Sequence, residues 1–245
     1  MTTPELDALL ERGLLNGVLA ELLPAAVRAR LNVIISGPGD SARTSLLRAL
    51  GCAVPARERL ATMEMVPQLN LSSCGRSVLE LSGPTAAFML PTIQAHSIHR
   101  LLLDDADSDT TLPLLQAMSS GGSGSMGTVE AASPHEALQV LTGWTALALG
   151  SAAAATRLVR DAVDLVVQLS RTNAPAGGRR FCSHLHEVDR TQPTGQEITL
   201  RAVFRPVPGQ PRAVFQTLPA CIDQLERHGF DRAVLADASH AWGPW

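Results

Sequence analysis

The chain has 245 residues, of which 45% are hydrophobic, and a formal charge of −3; that suffices for one large domain with an appendage and offers no positive excess to make nucleic acid the main partner. All 20 basic residues are Arg, and Lys and Tyr are absent, which excludes Schiff-base chemistry and a lysine phosphate clamp. Cys52, Cys74, Cys182 and Cys221 are far apart with no C-x-x-C pair, so a reduced, cytosolic chain with structural thiols is expected.

The acidic opening "MTTPELDALLERG" lacks the basic and apolar regions of a secretion signal. Leu6, Leu9, Leu10, Leu14, Leu15, Val18 and Leu22 recur at helical spacing, so residues 4–30 are expected to be amphipathic helix, divided in two at Pro24. Residues 32–35 read as a buried strand, 36–42 as a loop and 43–52 as a helix. Further strands are expected at 59–63, ending on Glu64, at 78–81 and at 101–103, the last running into Asp104 and Asp105. Helix is expected over 110–118, and "SSGGSGSMG", 119–127, is a flexible loop. A helix from Pro134 leads into an alanine-rich helix at 151–160. The apolar stretch at 144–155 is too short to span a bilayer, so a soluble protein, at most peripheral to a membrane, is expected. A strong strand follows at 163–169. Residues 181–190 and 197–204 read as an antiparallel pair after a polar turn at 171–180, and 218–228 as a terminal helix. The fold class is therefore α/β: helices at 1–30, a mostly parallel, doubly wound sheet over 31–170, and a smaller α+β appendage over 171–245.

The stretch "VIISGPGDSARTSLL" places a glycine-bearing turn between a strand and a helix, where backbone N–H groups and the positive helix end face an anion. Gly37, Gly39, Ser41, Ala42, Arg43, Thr44 and Ser45 are the candidate phosphate-binding residues. Thr44 stands where a magnesium-ligand hydroxyl belongs, and Asp105 is the candidate acid for that metal. Glu64 is the candidate to orient or deprotonate an attacking water. Three such features at the carboxyl ends of strands fit one site at a sheet edge.

With these residues in place, the chain resembles the carboxy-terminal RecA-like domain of the type II and type IV secretion and pilus-assembly ATPases, in the CpaF/TadA group. "AAVRARLNVIISG" is similar to the approach to that family's Walker A loop, and "RLATMEM" to its acidic Asp box. "RLLLDDADSDTTLPLLQAM" is similar to its Walker B strand and helix. "GGSGSMGTVEAASPHEAL" and "RDAVDLVVQLSR" are similar to its His-box segment and the strand after it. The resemblance runs from about residue 6 to about 235 and includes none of the family's amino-terminal domain. It implies a RecA-like P-loop NTPase fold, ATP and Mg2+ as cofactors, and a ring of secretion ATPase subunits. Partner proteins would be those of an inner-membrane platform, at the cytoplasmic face of the cell membrane.

Position by position, Gly37, Thr44, Glu64 and Asp105 match the family's first loop glycine, magnesium hydroxyl, Asp-box glutamate and Walker B acid. The Walker glycine and lysine fall on Ala42 and Arg43, and the second Asp-box acid on Met65. The arginine after the Walker B acid falls on Asp107, and the two box histidines on Gly122 and Glu130. The arginine-rich stretch that reaches a neighbouring subunit is short here and holds only Arg76. Arg is longer and planar where Lys is a compact charge. Ala42 adds a Cβ near the phosphate path, Pro38 removes an N–H, and Asp40 brings a carboxylate to an anion site. Weak nucleotide binding and little hydrolysis are expected: a degenerate paralogue acting with an active motor. A slow but active ATPase is the alternative.

Another alternative uses the same loop. Gly37-x-Gly39-x-x-Ala42 satisfies the dinucleotide fingerprint, with Glu64 at the distance of a ribose-binding acid. His184 and His186 share a strand face near Glu187; a metal site is possible there, but a solvated strand face is the expectation. Phe88, Met89 and Leu90 are expected in the core or an interface.

Overall fold

The computed structural model describes residues 3–83, 98–119, 123–172, 178–191, 197–236 and 242; Phe88, Met89, Leu90 and Gly122 lie outside them. Helices α1 (Pro4–Glu11) and α2 (Gly17–Arg28) begin where Thr3 and Asn16 side chains accept the N–H of Leu6 and Leu19. The division of this region falls at Gly13, not at Pro24. Gly13 has φ +72°, and the bonds Gly13 N to Leu10 O and Leu14 N to Leu9 O close a Schellman turn. Pro24 stays inside α2, where Leu22, Leu23, Ala25 and Ala26 are buried around it; that burial outweighs one lost helix bond.

The strands are β1 (Val33–Gly37), β2 (Leu60–Glu64), β3 (Val78–Ser82), β4 (Arg100–Leu103), β5 (Met126–Glu130), β6 (Leu165–Arg171), β7 (Arg180–Val188), β8 (Leu200–Val207) and β9 (Gln210–Phe215). They form one sheet in the order β3-β2-β4-β5-β1-β6-β7-β8-β9. Pairing is parallel from β3 to β6 and antiparallel from β6 to β9. The remaining helices are α3 (Arg43–Cys52), α4 (Thr111–Ser119), α5 (Pro134–Leu149), α6 (Ala152–Ala162) and α7 (Ile222–Arg227). Alternation in β1 sorts the layers: Val33 and Ile35 pack with α1, α2 and α3, while Ile34 packs with α4, α5 and α6.

Residues 171–245 supply β7 to β9, which continue the main sheet edge to edge. Strand β9 escapes the sequence pattern because Pro206, Pro208 and Pro211 interrupt it. The register shifts between Arg205 and Val207, and β9 ends the sheet, places where proline is tolerated. Met126 and Gly127, expected in a flexible loop, belong to β5, paired with Val33 and Ile34 of β1. The expected reduced thiols are half corrected. Cys52, at the end of α3, is bridged to Cys74, with Cα atoms 5.6 Å apart, whereas Cys182 and Cys221 are free. The chain returns from β2 over α3 in a short 3-10 turn, Leu71–Cys74, a proximity that spacing along the chain does not reveal.

Beneath the amino ends of the central strands, Arg100 is 1% exposed. Its Nε and Nη2 each donate to Glu58 at 2.7 Å, and Nη1 donates to Val27 O at 2.6 Å. Gly124 must lack a side chain here: its φ is +85°, and a Cβ would meet Arg100 Nη1 at 2.5 Å.

Candidate functional site

Parallel pairing brings the carboxyl ends of β1, β2, β4 and β5 to one edge, with Gly37 opposite Glu130 and Met63 opposite Leu103. The chain leaves β1 toward one side of the sheet and returns as β6 on the other, so the loop after β1 sits at the switch point. Gly37 is close-packed there: an added Cβ would strike Ser41 Oγ and lie 2.9 Å from Leu169 O. Asp40 and Ala42 both turn left-handed, at φ +61° and +72°, and Ala42 is the N-cap of α3 without a side-chain cap bond.

Arg43 folds back onto this loop. It is 9% exposed, and its Nη1 donates to Gly37 O at 2.5 Å and Pro38 O at 3.0 Å. Its Nη2 donates to Asp105 Oδ1 at 2.7 Å and lies 3.8 Å from Glu130 Oε2. Asp40, on the lip of the loop, is held by Arg180, at 2.5 Å, and by Arg171, at 3.6 Å, from β7 and β6. Ser41 is buried with its hydroxyl unpartnered among the described residues. Gly39 lies at the rim, its hypothetical Cβ 3.6 Å from Glu130, and Ser45 is exposed on α3.

The acid that meets Thr44 is Asp104: Thr44 Oγ1 donates to Asp104 Oδ2 at 2.8 Å, and Thr128 Oγ1 donates to Asp104 Oδ1 at 2.8 Å. Asp105 turns away at φ +55° and gives its carboxylate to Arg43. Thr44 and Asp105, the expected metal pair, therefore have different partners. Burial pushes the Asp104 carboxyl above the usual aspartate range; the two threonine bonds oppose this, and the charges of Asp105 and Glu64 add to it. Glu64 is 5% exposed, and its Oε2 accepts the N–H of Gln68 and of Leu69 at 2.7 and 2.8 Å, capping the turn after β2. Glu64, Asp104, Asp105 and Asp107 line one cavity of about 90 Å3.

Strand alternation holds the signal for Asp104. Leu102 packs against the α3 layer while Leu101 and Leu103 face the other, so position 104 shares the face of Leu102 and of the helix that carries Thr44. The left-handed turn at Asp105 and the fold-back of Arg43 have no such signal. The sheet order also corrects the dinucleotide alternative. That motif needs the acid at the end of a strand beside β1, and here β4 and β5 separate β2 from β1.

No protein-family model matches the chain. It is 33% identical over 136 residues to the type IV secretion system protein PtlH of Bordetella pertussis, covering 52% of this chain and 40% of that protein. It is 28% identical over 163 residues to the protein VirB11 of Agrobacterium fabrum, covering 62% and 47%. The fold matches the VirB11 ATPase of the Brucella suis type IV secretion system, crystallised with sulphate, at a TM-score of 0.64. That match has 26% identity and covers 76% of this chain and 56% of the other. The chain thus spans less than half the length of these two curated relatives. Sequence and fold together relate it to the secretion ATPases, with their RecA-like α/β architecture.

Proposed function

We propose that this chain, a relative of the secretion ATPases, is a partner or regulator of an active secretion motor and itself hydrolyses ATP weakly or not at all. The observation that carries this reading is Arg43, whose guanidinium is spent on Gly37 O, Pro38 O and Asp105. A phosphate at this loop needs backbone N–H donors and an available cation. It would meet two inward-facing carbonyls and a cation already paired, with the carboxylates of Asp40, Asp105 and Glu130 nearby. Each carboxylate within about 4 Å of a phosphate oxygen costs about 1–4 kcal/mol. In this arrangement the loop residues do not fit a bound triphosphate.

A second reading, a slow but active ATPase, is supported by the Thr44–Asp104–Thr128 chain, which keeps a hydroxyl and a carboxylate where Mg2+ would need oxygen ligands. We assign it to the CpaF/TadA group on the resemblance of its Walker B strand and helix, its His-box segment and the strand that follows. We place it in a homo- or hetero-oligomeric ring of secretion ATPase subunits, in contact with inner-membrane platform proteins and without nucleic acid. It would work in the cytoplasm or at the inner membrane face; no helix among the described residues is long and apolar enough to cross a membrane.

Calorimetric titration with MgATP and a phosphate-release assay test the proposal, on the native chain and on Ala42→Gly with Arg43→Lys. We expect little heat and no turnover from the native chain, and binding gained by the double variant. Tight binding with turnover in the native chain would sink the proposal and favour the second reading.

A further inference from the structure

The strand face of His184 and His186, expected to be solvated, is covered by the start of α5. His135, in the first turn of that helix, packs edge to face on His186 with ring centres 5.9 Å apart, and His184 packs on His186 at 5.4 Å. His186 is 7% exposed. These rings pack against one another and do not converge on an ion. Among the described residues, the group whose ligand atoms all lie within 4.8 Å of one another is Glu5, Cys52 and Cys74.

Three elements bring that group together. Glu5 lies in the first turn of α1, whose Leu6 and Leu9 belong to the same core as Leu46, Leu47 and Leu50 of α3. Cys52 ends α3, and Cys74 ends the 3-10 turn Leu71–Cys74. Gly51 lets that turn close on α3, because a Cβ there would meet Leu71 Cδ2 at 2.9 Å. Cys74 Sγ lies 3.5 Å from Glu5 Oε1. Arg48 Nη1 lies 4.0 Å from the same oxygen, while Arg48 Nη2 donates to Ser73 Oγ at 2.8 Å. Arg76 donates to the carbonyl oxygen of Cys52. Two guanidiniums beside the cysteines favour thiolate over thiol once the bridge is open.

We infer that Glu5, Cys52 and Cys74 form a redox-gated Zn2+ site: a disulfide in the oxidised chain and, in the reduced chain, two thiolates and a carboxylate with water as the fourth ligand. A dithiol reductant opens the bridge by exchange. It gives up two electrons and two protons and leaves as its own disulfide, and Cys52 and Cys74 become thiols. Zn2+ then displaces one proton from each sulfur. Tetrahedral Zn–S bonds of about 2.3 Å set the sulfurs about 3.8 Å apart, a separation that side-chain rotation reaches from Cα atoms 5.6 Å apart. Charge balances, because three anionic ligands face a doubly charged ion and the Arg48 guanidinium. The thiolate pair selects Zn2+ over Mg2+ and Ca2+. A cavity of about 300 Å3, lined in part by Glu5, Ala8, Arg12 and Arg48, opens beside the carboxylate and admits the ion and its water. The disulfide joins α3 to the turn after β2, whereas the ion also fastens α1. This site does not depend on how the phosphate loop is read.

The full chain is compared in its oxidised form and after reduction by a dithiol that is then removed without air. Each form is titrated with Zn2+ by calorimetry and with Co2+ by absorption. The reduced chain should bind one ion, show a thiolate-to-Co2+ charge-transfer band and gain Tm with Zn2+; the oxidised chain should do none of these. Cys74→Ser should abolish the band. Glu5→Gln should keep the band, leave the far-UV circular dichroism unchanged and weaken Zn2+ binding at least about tenfold. Because the Cys74 variant also loses the bridge, the Glu5 variant decides. Absence of saturable binding in the reduced chain, equal binding in the oxidised chain, or binding undiminished in Glu5→Gln overturns the inference. A band that survives Cys74→Ser would move the ion to Cys182 or Cys221 and overturn it equally.

Discussion

Ala42 holds φ +72° and ψ +28° ahead of α3, a conformation in which a Cβ costs about 1–2 kcal/mol. Glycine removes that strain and returns part of it as unfolded-chain entropy. Ala42→Gly should therefore raise stability by about 1 kcal/mol and the Tm by about 2 °C, read by calorimetry. A lower Tm would mean that the loop turns differently. Glu58 is the opposite case. Burial would raise its carboxyl, but the hydrogen bonds and charge of Arg100, followed by Arg30 and His99, hold it below the usual glutamate range. A folded pKa below the unfolded one means that the unfolded chain binds more protons, so this stability is present above the unfolded pKa and is lost as pH falls through the folded one. Glu58→Gln leaves the Arg100 guanidinium, with side-chain exposure of 0%, without its counter-charge. It should cost about 3–5 kcal/mol. Urea midpoints at pH 6 and pH 4 should fall on acidification in the native chain and change less in the variant.

At the scale of elements, the Cys52–Cys74 bridge fastens the far end of α3, whose near end carries the phosphate loop, to the turn after β2. Closing a loop of this length contributes about 3 kcal/mol by the loop-entropy estimate. A non-thiol reductant should lower the Tm, and Cys74→Ser should show the same loss and no further response to reductant. An unchanged Tm would mean that the thiols are free in solution. Elements whose signals are local were legible: the strand–turn–helix at 33–52 and the acid-ended strands at 60–64 and 100–103. The break at Gly13 and strand β9 were not, because proline is the louder mark in both places and neighbouring packing overrode it.

For the whole molecule, one unbroken sheet from β3 to β9 joins residues 171–245 to the strands that bear the site. A single cooperative unfolding transition is expected. Trp144 lies on α5 and Trp242 packs on Arg212, with its Nε1 donating to Ala213 O of β9 at 2.6 Å. Tryptophan fluorescence and far-UV circular dichroism should therefore give coincident urea curves, and two separated transitions would make 171–245 an independent unit.

What the sequence determined by itself was local: a glycine turn between β1 and α3, carboxylates at strand ends, and apolar periods that place helices on both faces of a parallel sheet. Those features depend on residues a few positions apart, where propensity and alternation act directly. Only the tertiary structure decided that Asp104 meets Thr44, that Arg43 pairs with Asp105, that Cys52 meets Cys74, and that His135 joins His184 and His186. Each of these pairings joins residues from different elements, and their distances follow from strand order, from the packing of helices and turns on the sheet and, for Arg43, from the left-handed turn at Asp105, which spacing along the chain does not encode.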